Sequence, residues 1–264
     1  MNDRAIAALF VLAIWWLSTG VVLKMVWLGR GAARFSVAGS TVLALGGLYG
    51  LYWTGAVEST GAAYLAFVCA LAVWGWHELT FLLGLVTGPR KLPCPTDARG
   101  WQRFGHATSV VIHHEVAIAL TLLFIVALTW GEPNQVGTET FLVLWAMRLS
   151  AKFNVFLGVR NLTEQFVPGH LRYMLTYFRR ARMNPLMPMS LLVGSAVALR
   201  LAFVPDEASH FVVVGRTLVA AILALAVVEH VFLALPLPDA MLWRWAIRAK
   251  GGHGRREPLP VEAR

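Results

Sequence analysis

The stretch TETFLVLWAMRLSAKFNVFLGV, residues 138–159, decides how this chain folds. It is long and apolar enough to cross a bilayer, which takes about 20 helical residues. It nevertheless carries Arg148, Lys152 and Asn154 in its interior. Read as a membrane span, it makes the loops alternate in charge along the whole chain. Left out, it puts two strongly basic regions on opposite sides of the membrane, against the positive-inside rule. The stretch is therefore read as a span, and its charges become functional candidates.

Six further apolar stretches lie outward from it, at residues 5–28, 36–56, 61–87, 108–130, 186–204 and 211–235. Basic residues concentrate in alternate connections. Arg30 and Arg34 lie in the first, Arg90, Lys91, Arg99 and Arg103 in 88–107, and Arg160, Arg172, Arg179, Arg180 and Arg182 in 160–185. Arg244, Arg248, Lys250, Arg255, Arg256 and Arg264 lie in the tail. The other connections are acidic: Glu58, then Glu132, then Asp206 and Glu207. The expected fold is an all-α integral membrane protein of about seven transmembrane helices, amino terminus outside and carboxyl terminus cytoplasmic. Residues 1–235 form one polytopic helical domain that includes the cytoplasmic loop 160–185, and residues 236–264 form a basic cytoplasmic tail.

Composition agrees. Of 264 residues, 58% are hydrophobic and 14% charged, against about 25% charged in soluble domains, and the mean hydropathy is +0.63. This excludes a disordered chain and argues against a soluble enzyme. The net charge of +9 sits between apolar stretches, so it reads as a topology signal and no nucleic-acid partner is expected. Cys69 in a span and Cys94 in a basic loop predict no disulfide. The run Ala5 to Trp27 is too long for a signal-peptide core and has no A-x-A site after it, so it is expected to remain as the first helix.

Two basic amphipathic segments are expected at the membrane surface, as anchors or as docking sites for a partner or anionic lipid. One follows Pro168, with Leu171, Leu175 and Phe178 at helical spacing. The other is Asp239 to Lys250, with Leu242, Arg244, Trp245 and Arg248. Gly46, Gly47, Gly84 and Gly88 are read as packing or turn positions rather than a phosphate loop.

Intramembrane charges are functional candidates by default. His77 and Glu78, then His113, His114 and Glu115, then Arg148 and Lys152, then Glu229 and His230 lie on four spans. From the helical rise, each lies roughly 8 to 17 Å from the cytoplasmic end of its span. Three readings stand open. Glu78, Glu115 and Glu229 can form an ion-pair network with Arg148 and Lys152, with histidines filling hydrogen bonds. Glu78, His114, Glu115 and Glu229 can hold a divalent metal, although no Glu-x-x-His spacing is present. His113, His114 or His230 can coordinate a tetrapyrrole metal or relay protons. No nucleotide-binding or hydrolase motif occurs.

Trp76-His77-Glu78-Leu79-Thr80-Phe81, Gly88-Pro89-Arg90, Cys94-Pro95 and Ile112-His113-His114-Glu115 resemble the PuhE family. So do Pro133-Asn134-Gln135, Met147 through Asn154, Phe156 through Leu162, His170-Leu171-Arg172-Tyr173 and Met183-Asn184-Pro185. That family comprises the photosynthetic complex assembly proteins, type 2, of purple phototrophic bacteria. The likeness is detailed from about residue 70 to 190. It implies a multi-pass protein of the cytoplasmic (inner) membrane, with a role in bacteriochlorophyll supply and in building reaction-centre or light-harvesting complexes. It assigns no reaction and no catalytic residue. Two functions follow as expectations. One is an assembly factor holding bacteriochlorophyll or a nascent reaction-centre or light-harvesting subunit within membrane lipid. The other is a metal-dependent membrane enzyme of late bacteriochlorophyll synthesis, with His77, Glu78, Arg148 and Lys152 as the candidate catalytic layer and Arg148 or Lys152 meeting an acidic group of the substrate.

Overall fold

The computed structural model describes residues 2–162, 164, 167–205, 207–235 and 243–247. Each apolar stretch is a helix: α1 Asp3–Trp27, α2 Arg30–Gly55, α3 Thr60–Leu82, α4 Gly100–Leu128, α5 Val136–Leu157, α6 Leu186–Ala202 and α7 His210–Ala234. A 3₁₀ helix covers Gly169–Tyr177, and a single turn, α8, covers Arg244–Ile247. No β-strand occurs among the described residues, which hold one isolated bridge between Val159 and Arg180. Six helices, α1 to α5 and α7, are long and apolar enough to cross a membrane. α6 has 17 residues, about 26 Å at the helical rise.

The helices run alternately up and down, and side chains fix this at both ends of the bundle. At one end Arg4 donates to the Val204 carbonyl at 3.0 Å and His210 meets Asp3 at 2.5 Å. There the buried Asn134 side chain donates to the Thr54 carbonyl at 3.1 Å. At the other, basic end His170 donates to the Leu82 carbonyl at 3.0 Å and Asn161 to Phe232 at 3.2 Å. Asn184 donates to the Gly158 carbonyl at 2.7 Å. The Asn184 Oδ1 also accepts from the Leu186 and Met187 amides at 3.0 and 3.1 Å, so it satisfies two donors that the start of α6 would otherwise leave unpaired.

α3 is the central helix and touches α1, α2, α4, α5 and α7. Small side chains let it do so. Ala62, Ala63, Ala66 and Ala70 are buried on it. α2 comes close because Gly47 and Gly50 face Cys69: a Cβ on Gly50 would stand 2.4 Å from the Cys69 sulfur. Without a hydrophobic drive between helices in lipid, such close packing is what holds a pair together. The core joins Phe67 and Val73 of α3 to Val11, Leu51, Ile118, Phe141, Leu218 and Ile222. The outer faces are strongly apolar, with Val42 and Tyr49 of α2 and Leu192 and Leu199 of α6 each 70–72% exposed. Patches of that extent suit lipid rather than water.

Three expectations change. The third span ends early: Leu82 closes α3, Gly84 has φ +76°, and the Gly84 and Leu85 amides turn back to Phe81 and Thr80 at 2.8 and 2.9 Å. This is the glycine-terminated helix end that only a residue free to adopt positive φ allows cheaply. The chain then runs along α4. A Cβ on Gly88 would meet the Ser109 carbonyl oxygen at 2.2 Å, and the His114 amide donates to Thr87 at 2.9 Å. The fourth helix begins at Gly100 rather than at 108. Its 29 residues extend about 44 Å, longer than a hydrocarbon core of about 30 Å. Arg103, on the overhang, donates to the Phe156 and Tyr177 carbonyls at 3.3 and 2.5 Å. Third, the segment after Pro168 is a 3₁₀ helix, not an α-helix. With three residues per turn, Leu171, Met174 and Tyr177 share the buried face against Phe81 and Val110, while Leu175 and Phe178 are half-buried. Its apolar face packs on protein. In the expected surface helix Asp239 to Lys250, Leu242, Arg248 and most of the segment lie outside the described residues. α8 rests on α1, with Trp243 against Trp15 and Trp245 beside Gly20.

Candidate functional site

The ionisable layer is assembled from α3, α4, α5 and α7. Arg148 and Lys152 are four apart on α5, so they lie one above the other on a helix face. They diverge to two partners. Arg148 donates to Glu78 of α3 at 3.0 Å. Lys152 pairs with Glu115 of α4, whose second oxygen accepts the Trp145 indole N–H at 3.2 Å. The Lys152 ammonium also stands 5.3 Å from the Phe81 ring centroid. Glu229 of α7 accepts the Trp15 indole N–H at 3.2 Å. Two of the three carboxylates thus pair with the two cations, and the third, Glu229, is held by an indole. Pairing offsets part of the several kcal/mol per ion that desolvation costs.

The histidines separate into different environments. His230 is 1% exposed. Its Nδ1 lies 2.8 Å from the Ala226 carbonyl, which can only accept, so Nδ1 carries the hydrogen. Nε2 lies 3.0 Å from the Ser150 hydroxyl oxygen. Ser150 continues to Ser190 at 2.9 Å, and Asn154 donates to Ser190 at 3.1 Å. A hydrogen-bonded polar chain therefore links α5, α6 and α7. His77 is 2% exposed, with Nε2 on the Thr121 hydroxyl at 3.0 Å. His114 is fully buried, with its ring 4.5 Å from Phe81 and 6.3 Å from His77. His113, about 100° further round the same helix, is exposed on the outer face of α4.

The network leaves polar atoms over. Among the described residues His77 Nδ1, Glu78 Oε1, both nitrogens of His114, Arg148 Nε and Asn154 Oδ1 are buried without a hydrogen-bond partner. Each such atom costs about 1–3 kcal/mol, so the interface of α3, α4 and α5 is a polar pocket of stored cost within an apolar bundle. As a metal site the set fits poorly. Among the described residues no three His, Cys, Asp or Glu side chains gather as ligands would. Glu78, Glu115 and Glu229 each answer a different partner, and His114 faces Phe81 and His77. The structure brings Glu78 to Arg148 and Glu115 to Lys152; it sends His113 away from both.

Sequence reasoning missed several contributors. The Trp15 and Trp145 indole donors carry no sign in the sequence, because a tryptophan in a span reads first as packing. Ser190 was hidden likewise, and Asn154 and Ser150 were visible in the span without a sign of their partners. Asn134, His170 and Asn184 fall in the distinctive strings between residues 133 and 185, Arg103 among the bases of the 88–107 connection, and the structure makes each of them a tie between helix ends or to a helix overhang.

The family model described as "Protein of unknown function (DUF3623)" matches residues 1–253. The chain is 36% identical over 269 residues to an "Uncharacterized 30.4 kDa protein in puhA 5'region" of Rhodobacter capsulatus, spanning 100% of this chain and 98% of that one. No solved structure matches. The chain belongs to the DUF3623 family.

Proposed function

We propose that this DUF3623 protein is a PuhE-type photosynthetic complex assembly factor. It holds bacteriochlorophyll or a nascent reaction-centre or light-harvesting subunit in the cytoplasmic membrane while the complex is built. The observation that carries this reading is the full-length relative whose gene lies in the puhA 5′ region, beside a photosynthesis gene. In this reading α6 is the seventh span, and the basic end faces the cytoplasm with the amino terminus outside. The contacts of Arg4 with Val204 and of Asn184 with Gly158, at opposite ends of the α6 segment, support the seven-span count.

The layer serves here as a scaffold. Its charges are already paired across helices, which suits a protein that fixes helix rotation and presents outer surfaces to a client. The test is purification of the tagged full chain from its phototrophic host in mild detergent, with an absorption spectrum and identification of co-purifying subunits. Bacteriochlorophyll or photosynthetic subunits at near-stoichiometric level is the expected result. Protein carrying neither, from cells that are building photosynthetic complexes, overturns the reading.

A further inference from the structure

His113 is an imidazole that faces lipid with nothing to bond. It is exposed on α4 and has no hydrogen bond or ion pair among the described residues. It stands about 22 Å along the helix from Leu128. With a hydrocarbon core of about 30 Å, that places it some 8 Å inside the boundary at the basic end. In water such a histidine would be unremarkable. In the bilayer an unpartnered donor and acceptor is a standing cost, so a polar side chain there implies a partner. The helical repeat sets Val116, Leu120 and Phe124 on the same face. All three are open, at 47, 61 and 51% exposure, and form a smooth apolar strip leading away from the ring.

A lipid-soluble metallotetrapyrrole matches this surface: a flat apolar macrocycle with one open axial position on its metal. An axial ligand must offer a ring nitrogen with free space above it. His114 is fully buried under Phe81, His230 uses both nitrogens, and His77 is buried against Thr121. The geometry points to His113 as the axial ligand of a metallochlorin bound on the lipid-facing side of α4, with the Val116–Leu120–Phe124 strip against the macrocycle or its tail. This rests on the pigment-holding part of the proposed function and names its site. The Glu115–Lys152 pair then helps hold α4 in the rotation that turns His113 outward.

The experiment uses the full chain, expressed in a host that makes no chlorin and purified in mild detergent, titrated with zinc pheophorbide a methyl ester. Absorption follows binding and resonance Raman reports the zinc coordination number. One equivalent of five-coordinate zinc is expected. His113→Leu should lose the five-coordinate signature and bind about tenfold weaker or worse. His113→Gly should recover the signature on adding imidazole, while His106→Leu, on the same face two turns away, should keep it. His113→Leu binding unchanged, still five-coordinate, overturns the site while pigment holding stands. Wild-type protein that binds no chlorin, yet co-purifies photosynthetic subunits from the native host, overturns the site and pigment holding but leaves the assembly role.

Discussion

Removing one partner of the Glu115–Lys152 pair should harm the protein more than removing both. The two side chains are 14% and 22% exposed, so neither can reach water without opening α4 from α5. An orphaned charge has one cheap escape, which is to become neutral. From reference values, neutralising a lysine at pH 7 costs about 4.6 kcal/mol and a glutamate about 3.7 kcal/mol. These figures cap the penalties of Glu115→Gln and Lys152→Met respectively. In Glu115→Gln the orphaned ammonium keeps its place near the Phe81 ring, worth about 1 kcal/mol. In Lys152→Met the orphaned carboxylate keeps the Trp145 donor. Each single variant should therefore lose about 2–4 kcal/mol, and the double variant should stay within about 1 kcal/mol of wild type. Thermal melts in mild detergent should show single-variant midpoints lower by about 5–15 °C. The signs with pH should oppose each other. The Glu115→Gln deficit shrinks as pH rises, because an orphaned lysine sheds its proton more cheaply. The Lys152→Met deficit shrinks as pH falls, because an orphaned glutamate takes one up. A double variant as unstable as the worse single, or parallel pH trends in the two singles, refutes the reasoning.

Gly88→Ala should destabilise by about 1–3 kcal/mol or more, because its Cβ would strike backbone atoms of Ser109 and Val110; Gly46→Ala, with open space around it, should be neutral in the same melt. Asn184→Ala should cost about 2–3 kcal/mol through lost capping and two lost carbonyl contacts, read as a lower melting midpoint. Arg103→Met should free the 3₁₀ segment from the α4 overhang, so amide exchange across Gly169–Tyr177 should quicken by about tenfold or more while that of α3 and α7 stays unchanged.

Much of the bundle was legible because spans are written in long runs. The residue 138–159 stretch folds as Val136–Leu157 despite Arg148, Lys152 and Asn154, and charge alternation identified it where hydropathy was weakest. The level of the ionisable layer was legible too, since depth follows from counting residues. Partner choice was not. Whether His113 or His114 turns inward depends on helix rotation, which α4 takes from Val110, Ile118, Leu122 and Ile125 packing inward, and neighbouring histidines look alike in a string. The 3₁₀ segment was misread because a spacing of three or four fits both helix types over one or two turns. Which of Leu171, Met174 or Leu175 is buried settles that, and it is tertiary information.

The seam that α1 forms with α7 and with Trp243 has a consequence for how the protein is made. Trp15 and its acceptor Glu229 are separated by 214 positions, and Trp16 takes its bond from Trp243 across 227. At about 5–20 residues per second, the first helix to leave the ribosome waits some 10–40 s for the surfaces that complete it. During that interval its tryptophan face is open in the bilayer and available to whatever shares the insertion site. Maturation of this chain is thus timed by its own length, and the closing of the seam marks when synthesis has gone far enough for the fold to be whole.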